Sequence, residues 1–415
     1  MTTLTETQTI TAQQAVKVVR IPLKKRDLCF RWKNVISCFM LCFVPVMAVI
    51  IFITTMFEFA LDLFRKSALG VAISRESNRV MRAVATVMMK DPRNSHTLFV
   101  YFGITMIVPP LFLYCLWFEL NNTSGFSLSL ALCYHCVRNG PMFVFFAYVA
   151  TLTHMEAHDV NGFFKPRYSF MNNYMGYFLS FFYGHVPENY RVGHNKIHHA
   201  LPVNGSHDVT TTRGYQRDSK VSFFDYMSTF FFYWTGVSVV HHFFVLDPHK
   251  QYSLGWRQLR GMLVYYAAML TFFYLHPKFA FVYVFFPWIE SMNYLSAINY
   301  VWHSFVEPGA PPNEYIDSVT IVEGLYNVYN SDYHVVHHHN PVLQYLDMPA
   351  HYEKHRDEYI RHNATIFAKT HEFELFFWII LGRHDLLVKH WVDLSGKLSD
   401  EEKLTIILRR LGNCS

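Results

Sequence analysis

Three groups of histidines are the residues of this chain best suited to chemistry: His154-x-x-x-His158, His194-x-x-x-His198-His199 and His334-x-x-His337-His338. Neutral imidazole is the commonest protein metal ligand, and spacings of three or four residues put imidazoles on one face of a helix. His154 and His158, one turn apart, can therefore point at a single ion. The adjacent pairs His198-His199 and His337-His338 project about 100° apart on a helix and can serve two ions. Eight histidines exceed what one zinc ion takes. The pattern implies two metal ions with many nitrogen ligands, and iron is favoured because imidazole suits it as well as zinc or copper. Two readings of another class stay open. A histidine-rich zinc transporter would be expected to carry its ligands near the bilayer midplane, and a membrane zinc hydrolase needs only about three ligands and a general-base carboxylate.

The elements that must hold these histidines are apolar helices. Of 415 residues, 52% are hydrophobic, 18% aromatic and only 16% charged, whereas about a quarter charged is usual for soluble domains. An all-α membrane protein follows, with no Pro/Gly/Ser-rich linker dividing it. The net charge of +5 is spread over basic clusters at the edges of apolar runs, which argues against a nucleic-acid partner and for an anionic membrane surface. Cys133 and Cys136 form an isolated CxxC among seven cysteines, for which a buried, reduced, structural role is expected. The first residues, MTTLTETQTITAQQ, lack the apolar core and cleavage site of a secretory signal.

Long apolar runs cover Val35–Leu61, Thr97–Phe118, Phe126–Leu152, Leu259–Leu275 and Phe279–His303. Each reaches or approaches the roughly 30 Å of a hydrocarbon core. Basic residues flank the first run on both sides, Lys17 to Lys33 before it and Arg65 to Arg93 after it, so both flanks are expected in the cytosol. That run, with Pro45 near its middle, is then a re-entrant or interfacial helix pair. Runs 97–118 and 126–152, joined through Asn121-Asn122-Thr123-Ser124-Gly125, read as one transmembrane hairpin. Runs 259–275 and 279–303, joined at His276-Pro277-Lys278, read as a second. All the histidine groups share one side only if Tyr168–Gly184 and Phe223–Leu246 lie in the interface. The expected architecture is two hairpins, four spans in all, with interfacial helices and a cytosolic helical cap holding the metals. Its divisions are a polar cytosolic tail, 1–33; a re-entrant or interfacial segment, 34–96; a catalytic domain, 97–390; and a C-terminal tail, 391–415.

With its three histidine boxes in this order, the chain resembles the membrane fatty acid desaturase and hydroxylase superfamily over roughly 97–390. One further element fits. Asn299-Tyr300-Val301-Trp302-His303 matches the family's N-x-x-x-H, which implies that His303 is another ligand and that Asn299 reaches a metal through water. The resemblance implies a di-iron centre that uses O2 on an unactivated C–H bond of a lipid or fatty acyl substrate. It also implies an external electron donor, a cytochrome b5 or a ferredoxin, because neither a fused b5 haem motif nor a two-CxxC rubredoxin is present. Ligating histidines usually donate their second N–H to an acceptor, so Asp159, Asp208 and Asp332 are candidate partners. His207 and His339 lie outside the ligand set. The third box, followed by Asn340-Pro341, looks like acyl-lipid and sphingolipid desaturases. The second, with three residues before its histidine pair, is similar to alkane monooxygenases. Desaturation is the expected reaction, with lipid or alkane hydroxylation the alternative, and the endoplasmic reticulum is the expected membrane if the source is eukaryotic.

Overall fold

The computed structural model describes residues 32–122, 126–201, 204–205 and 207–412. The expected tail 1–33 lies almost wholly outside these residues, as does the centre of the 121–125 turn. The described chain is mostly helical, as expected, with one small exception: Thr320–Val322 (β1) and Ile366–Ala368 (β2) pair as a two-stranded parallel sheet.

Helix α1 (Trp32–Leu41) leads into α2 (Val44–Lys66). Pro45 sits in the first turn of α2, where a helix N–H has no partner to lose. The chain therefore does not double back there, as a re-entrant pair would require. Asn34–Lys66 runs on as one 33-residue stretch, long and apolar enough to cross a membrane. At Ser67 the backbone turns extended, and its hydroxyl accepts from Gly70 N to start α3 (Ala68–Met88). Beyond α3, Lys90 N donates to Phe163 O and Lys165 N to Met88 O, which ties this segment to the loop that follows the first histidine box.

The second stretch able to cross a membrane is Pro92–Asn121, which contains α4 (Thr105–Asn121) and the expected run 97–118. The return, expected as one run over 126–152, is broken. Helix α5 (Leu128–Asn139) ends at Gly140, Met142 and Phe143 take positive φ, and α6 (Val144–His158) begins there. Gly140-Pro141 is the sequence signal for this break. A buried ion pair, Arg138 with Glu290, joins the end of α5 to the helix Phe286–Trp302, and Asn139 Nδ2 donates to Glu290 Oε1 at 2.9 Å.

The expected second hairpin has its helices, Tyr252–Leu275 and 277–302. Each is long enough, at about 36 to 39 Å by the helical rise, but neither matches the first two stretches in apolar character. Arg257, Gln258 and Arg260 interrupt one, and Glu290, Asn293 and Asn299 the other. Of the two segments expected in the interface, 168–184 is divided into short helices, Pro166–Asn173, Tyr174–Tyr177 and Leu179–Tyr183. The other comprises Lys220–Trp234 and Val237–Leu246, bent by 69°. Among the described residues two helices are thus long and apolar enough to cross a membrane, or three if that bent pair is one span. Cys133 is exposed on α5, not buried as expected, and Cys136 half-buried; both are free thiols.

Candidate metal centre

Each histidine group sits on a helical segment that fixes its spacing in space. The first occupies the last turns of α6, where a period near four brings His154 and His158 together, their Nε2 atoms 3.0 Å apart. The third lies on the short helix His334–His339, where the same period brings together His334 and His338, with Nε2 atoms 3.2 Å apart.

The second group is different. Asn189–His198 is a π-helix, with His199 N bonded to His194 O, five residues back. The wider turn faces His194 to His199, with Nε2 atoms 2.9 Å apart. His198 projects elsewhere.

Two sets of imidazoles result. His154, His158, His194, His199 and His337 form one, and His198, His303 and His338 the other, with donor atoms within each set no more than 4.8 Å apart. His334 joins the second, its Nε2 3.3 Å from that of His303. The two boxes are crossed. The outer histidines of box two serve the first set and its inner His198 the second, whereas the outer histidines of box three serve the second set and its inner His337 the first. Each adjacent pair is thereby divided between the sets.

This donor arrangement fits metal ions. Facing Nε2 atoms stand 2.6 to 3.3 Å apart; a pair can share one proton, and with the protons on Nδ1 their lone pairs converge where a cation would be held. Cis ligands at about 2.1 Å from an ion stand about 3.0 Å from one another, the spacing seen here. The Nε2 atoms of His198 and His337 are buried and have no hydrogen-bond partner among the described residues, as a ligating atom would be before its ion is counted. Burial, then the neighbouring imidazoles, pushes the pKa of His194, His199, His334, His337 and His338 well below the ordinary histidine value. These rings are neutral, the form that ligates metals.

The groups behind the rings set their tautomers. His198 Nδ1 donates to Asp208 Oδ2 at 2.9 Å, and Asp208 also accepts from Thr210 N, Thr210 Oγ1 and Asn204 N. Burial raises the Asp208 pKa, but the contacts with His198 and Thr210 outweigh it and hold the carboxyl below its ordinary value. His303 Nδ1 donates to the Asp317 carbonyl at 2.9 Å, while its own carbonyl accepts from Asn204 Nδ2 and Thr212 Oγ1. Both Nε2 atoms are thereby left as lone pairs facing the centre.

The remaining expected residues sit as follows. Asn299 is outside both sets: its Nδ2 donates to Tyr226 Oη at 2.7 Å and to Thr210 O at 3.2 Å. Asp159 caps the turn after α6 by accepting from Asn161 N and Gly162 N. Asp332 is buried with neither carboxylate oxygen bonded to a group among the described residues, and burial followed by the Glu372 charge raises its pKa to about 9. His207 is exposed, and His339 Nε2 lies 3.1 Å from Glu314 Oε2.

Several supports carry no metal-binding signal in the sequence. Trp302 stacks on His334, with ring centres 4.8 Å apart, and Tyr190 packs against His154 at 5.4 Å. Asn204 and the Asp317 carbonyl act through the backbone. Behind the first box, Glu156, His185 and Tyr190 line a partly open cavity of about 20 Å3, room for about one water.

A family model described as fatty acid desaturase matches residues 128–370, a stretch that contains all nine converging histidines and Asn299. No curated protein and no solved structure matches the chain.

Proposed function

The chain belongs to the fatty acid desaturase family, a membrane-bound family of oxidoreductases, and from that premise we propose that it desaturates a long acyl chain of a lipid or acyl-CoA at a di-iron centre. The observation that carries this reading is the division of nine imidazoles into two adjoining sets. A zinc hydrolase or transporter site would need fewer nitrogen ligands. We assign His154, His158, His194, His199 and His337 to one iron, and His198, His303, His334 and His338 to the other. Asn299, whose nitrogen is engaged by Tyr226 and Thr210, would reach the second through water on its carbonyl oxygen.

Two bound irons would supply the activation of O2 and the removal of hydrogen from an unactivated C–H bond. The protein's own part is positional. Asp208 and the Asp317 carbonyl keep His198 and His303 in the Nδ1–H tautomer, and the aromatic faces of Trp302 and Tyr190 fix two further rings and exclude water from beside them. Electrons would come from a separate carrier, a cytochrome b5 or ferredoxin. We place the catalytic unit at 97–390, with four spans, the centre on the cytosolic side and the endoplasmic reticulum as the membrane of a eukaryotic source.

Hydroxylation of a lipid or alkane is the alternative on the same scaffold. Its support in the second box is weakened by the π-helix, which absorbs the extra residue between His194 and His198. Expression in yeast followed by mass analysis of fatty acids, sphingoid bases and sterols separates the two: desaturation removes two hydrogens and hydroxylation adds one oxygen. Metal analysis of the purified chain checks the centre itself. Two zinc ions and no iron from iron-replete cells would overturn the di-iron assignment.

A further inference from the structure

Helix α3 is almost free of the rest of the protein between Val71 and Val80, where only Ala72 is partly covered. Its surface has two faces. Arg75, Arg79 and Arg82, with Ser74 and Asn78, repeat at the three- and four-residue spacing of a single stripe, and Arg65 from the last turn of α2 joins them across the Ser67 corner. Together with Val71 they line an open groove of about 660 Å3 that, among the described residues, no acidic side chain lines. Arg65 and Arg79 pair with Glu58 and Glu76 outside it, whereas Arg75 and Arg82 make no ion pair among the described residues. Leu69, Ile73, Val80 and Val87, all exposed, form an apolar stripe about 130° around the helix from the arginines.

We propose that this groove is a binding site for the phosphate-bearing headgroup of an anionic phospholipid, with α3 lying in the membrane interface. Three observations choose that occupant. The groove starts at Arg65, in the last turn of Asn34–Lys66, a stretch able to cross a membrane, and continues from Val71, so its arginines stand where an apolar helix ends and headgroups begin. A basic stripe opposite an apolar stripe is the pattern of helices that lie in the plane of a membrane surface; a soluble acidic protein could cover the arginines but would leave the apolar stripe in water. Guanidinium groups also match phosphate oxygens two at a time, and two arginines here lack an acidic partner. The site is separate from the histidine sets and does not depend on the desaturase reading.

The test uses the full chain purified in a neutral detergent, offered equal amounts of phosphatidylglycerol and phosphatidylcholine, with bound lipid read by native mass spectrometry. The wild type should retain phosphatidylglycerol in preference, and less of it as salt rises. R75Q/R79Q/R82Q should lose that preference by roughly tenfold or more, since each arginine near an anionic surface is worth roughly a fivefold change. Equal retention of the two lipids by the wild type, or undiminished preference in a variant that still unfolds at the wild-type temperature, overturns the proposal. Displacement of the lipid by excess inorganic phosphate overturns it in favour of a free-anion site. Should the variant fail to fold, the wild-type salt series decides, because a preference insensitive to salt is incompatible with the groove.

Discussion

Asp208 touches no candidate metal position, yet it determines which nitrogen of His198 faces the centre. Asp208→Asn keeps the shape of the side chain but loses the charge that holds the Nδ1–H, and metal affinity should fall by roughly 10- to 100-fold, as read by competition with a chromophoric chelator. His337→Ala should be more severe. It removes a proposed ligand of the first set, and lipid product should vanish while the chain stays in the membrane; retained turnover would remove His337 from the ligands. Asn299→Ala should lose far less metal than His303→Ala, since the Asn299 amide is engaged by Tyr226 and Thr210. At this scale eight of the nine histidines were legible because helical spacing announces them, and His303 was legible only through the resemblance to the family's N-x-x-x-H. Asp208 was legible through its nearness to the second box, whereas Asp159 and Asp332 shared that nearness and make no bond to a ligand ring. The acceptor for His303 was not legible at all, because a backbone carbonyl has no residue-specific signature.

Helices are placed here by close approaches that sequence patterns show poorly. Gly184 has φ of 77°, and a Cβ there would collide with the Trp288 Cα and the Pro287 carbonyl oxygen. Gly184→Ala therefore combines backbone strain with overpacking and should cost about 2 to 4 kcal/mol, seen as a lowered unfolding temperature in detergent. Arg217 braces the C-terminal helix Asp400–Leu411 against the centre. It donates to Ser304 O, beside His303, to Tyr215 O, and to Arg410 O and Gly412 O. Arg217→Met should orphan several buried carbonyls at about 1 to 3 kcal/mol each, and metal retention should fall with stability because Ser304 adjoins a ligand. The run 97–118 was legible as a helix from its unbroken apolar character. The break at 140–143 was signalled by Gly140-Pro141 but masked by the apolar residues on both sides, and the π-helix left no trace in residue type, since its identity lies in which carbonyl each amide chooses.

The whole molecule closes its centre from segments as far apart as His154 and His338, with a family of buried polar ties, such as Arg138 with Glu290, holding the helices between them. Metal and fold should therefore be linked. Stripping the ions with a chelator should lower the unfolding temperature, and reloading should restore it, since a ligand held at a hundred times its Kd adds about 2.7 kcal/mol per site; an unchanged transition would mean that the histidines form their sets without help from an ion. Composition predicted an apolar, helical molecule, and parity predicted a single shared site. The number of crossings was less legible, because helices such as 277–302 bury polar residues among themselves and so look less apolar than Asn34–Lys66, which is largely exposed. The π-helix of the second box carries a consequence for descent. It places His194 and His199 as an ordinary α-helix places His334 and His338, with one residue more between them. Loss of a residue such as Lys196, with a return to α-helical winding, would convert HxxxHH to HxxHH and leave every ring facing its own set. Lineages can thus drift between the two box lengths without passing through a broken centre, and box length is a poor record of which reaction a relative performs.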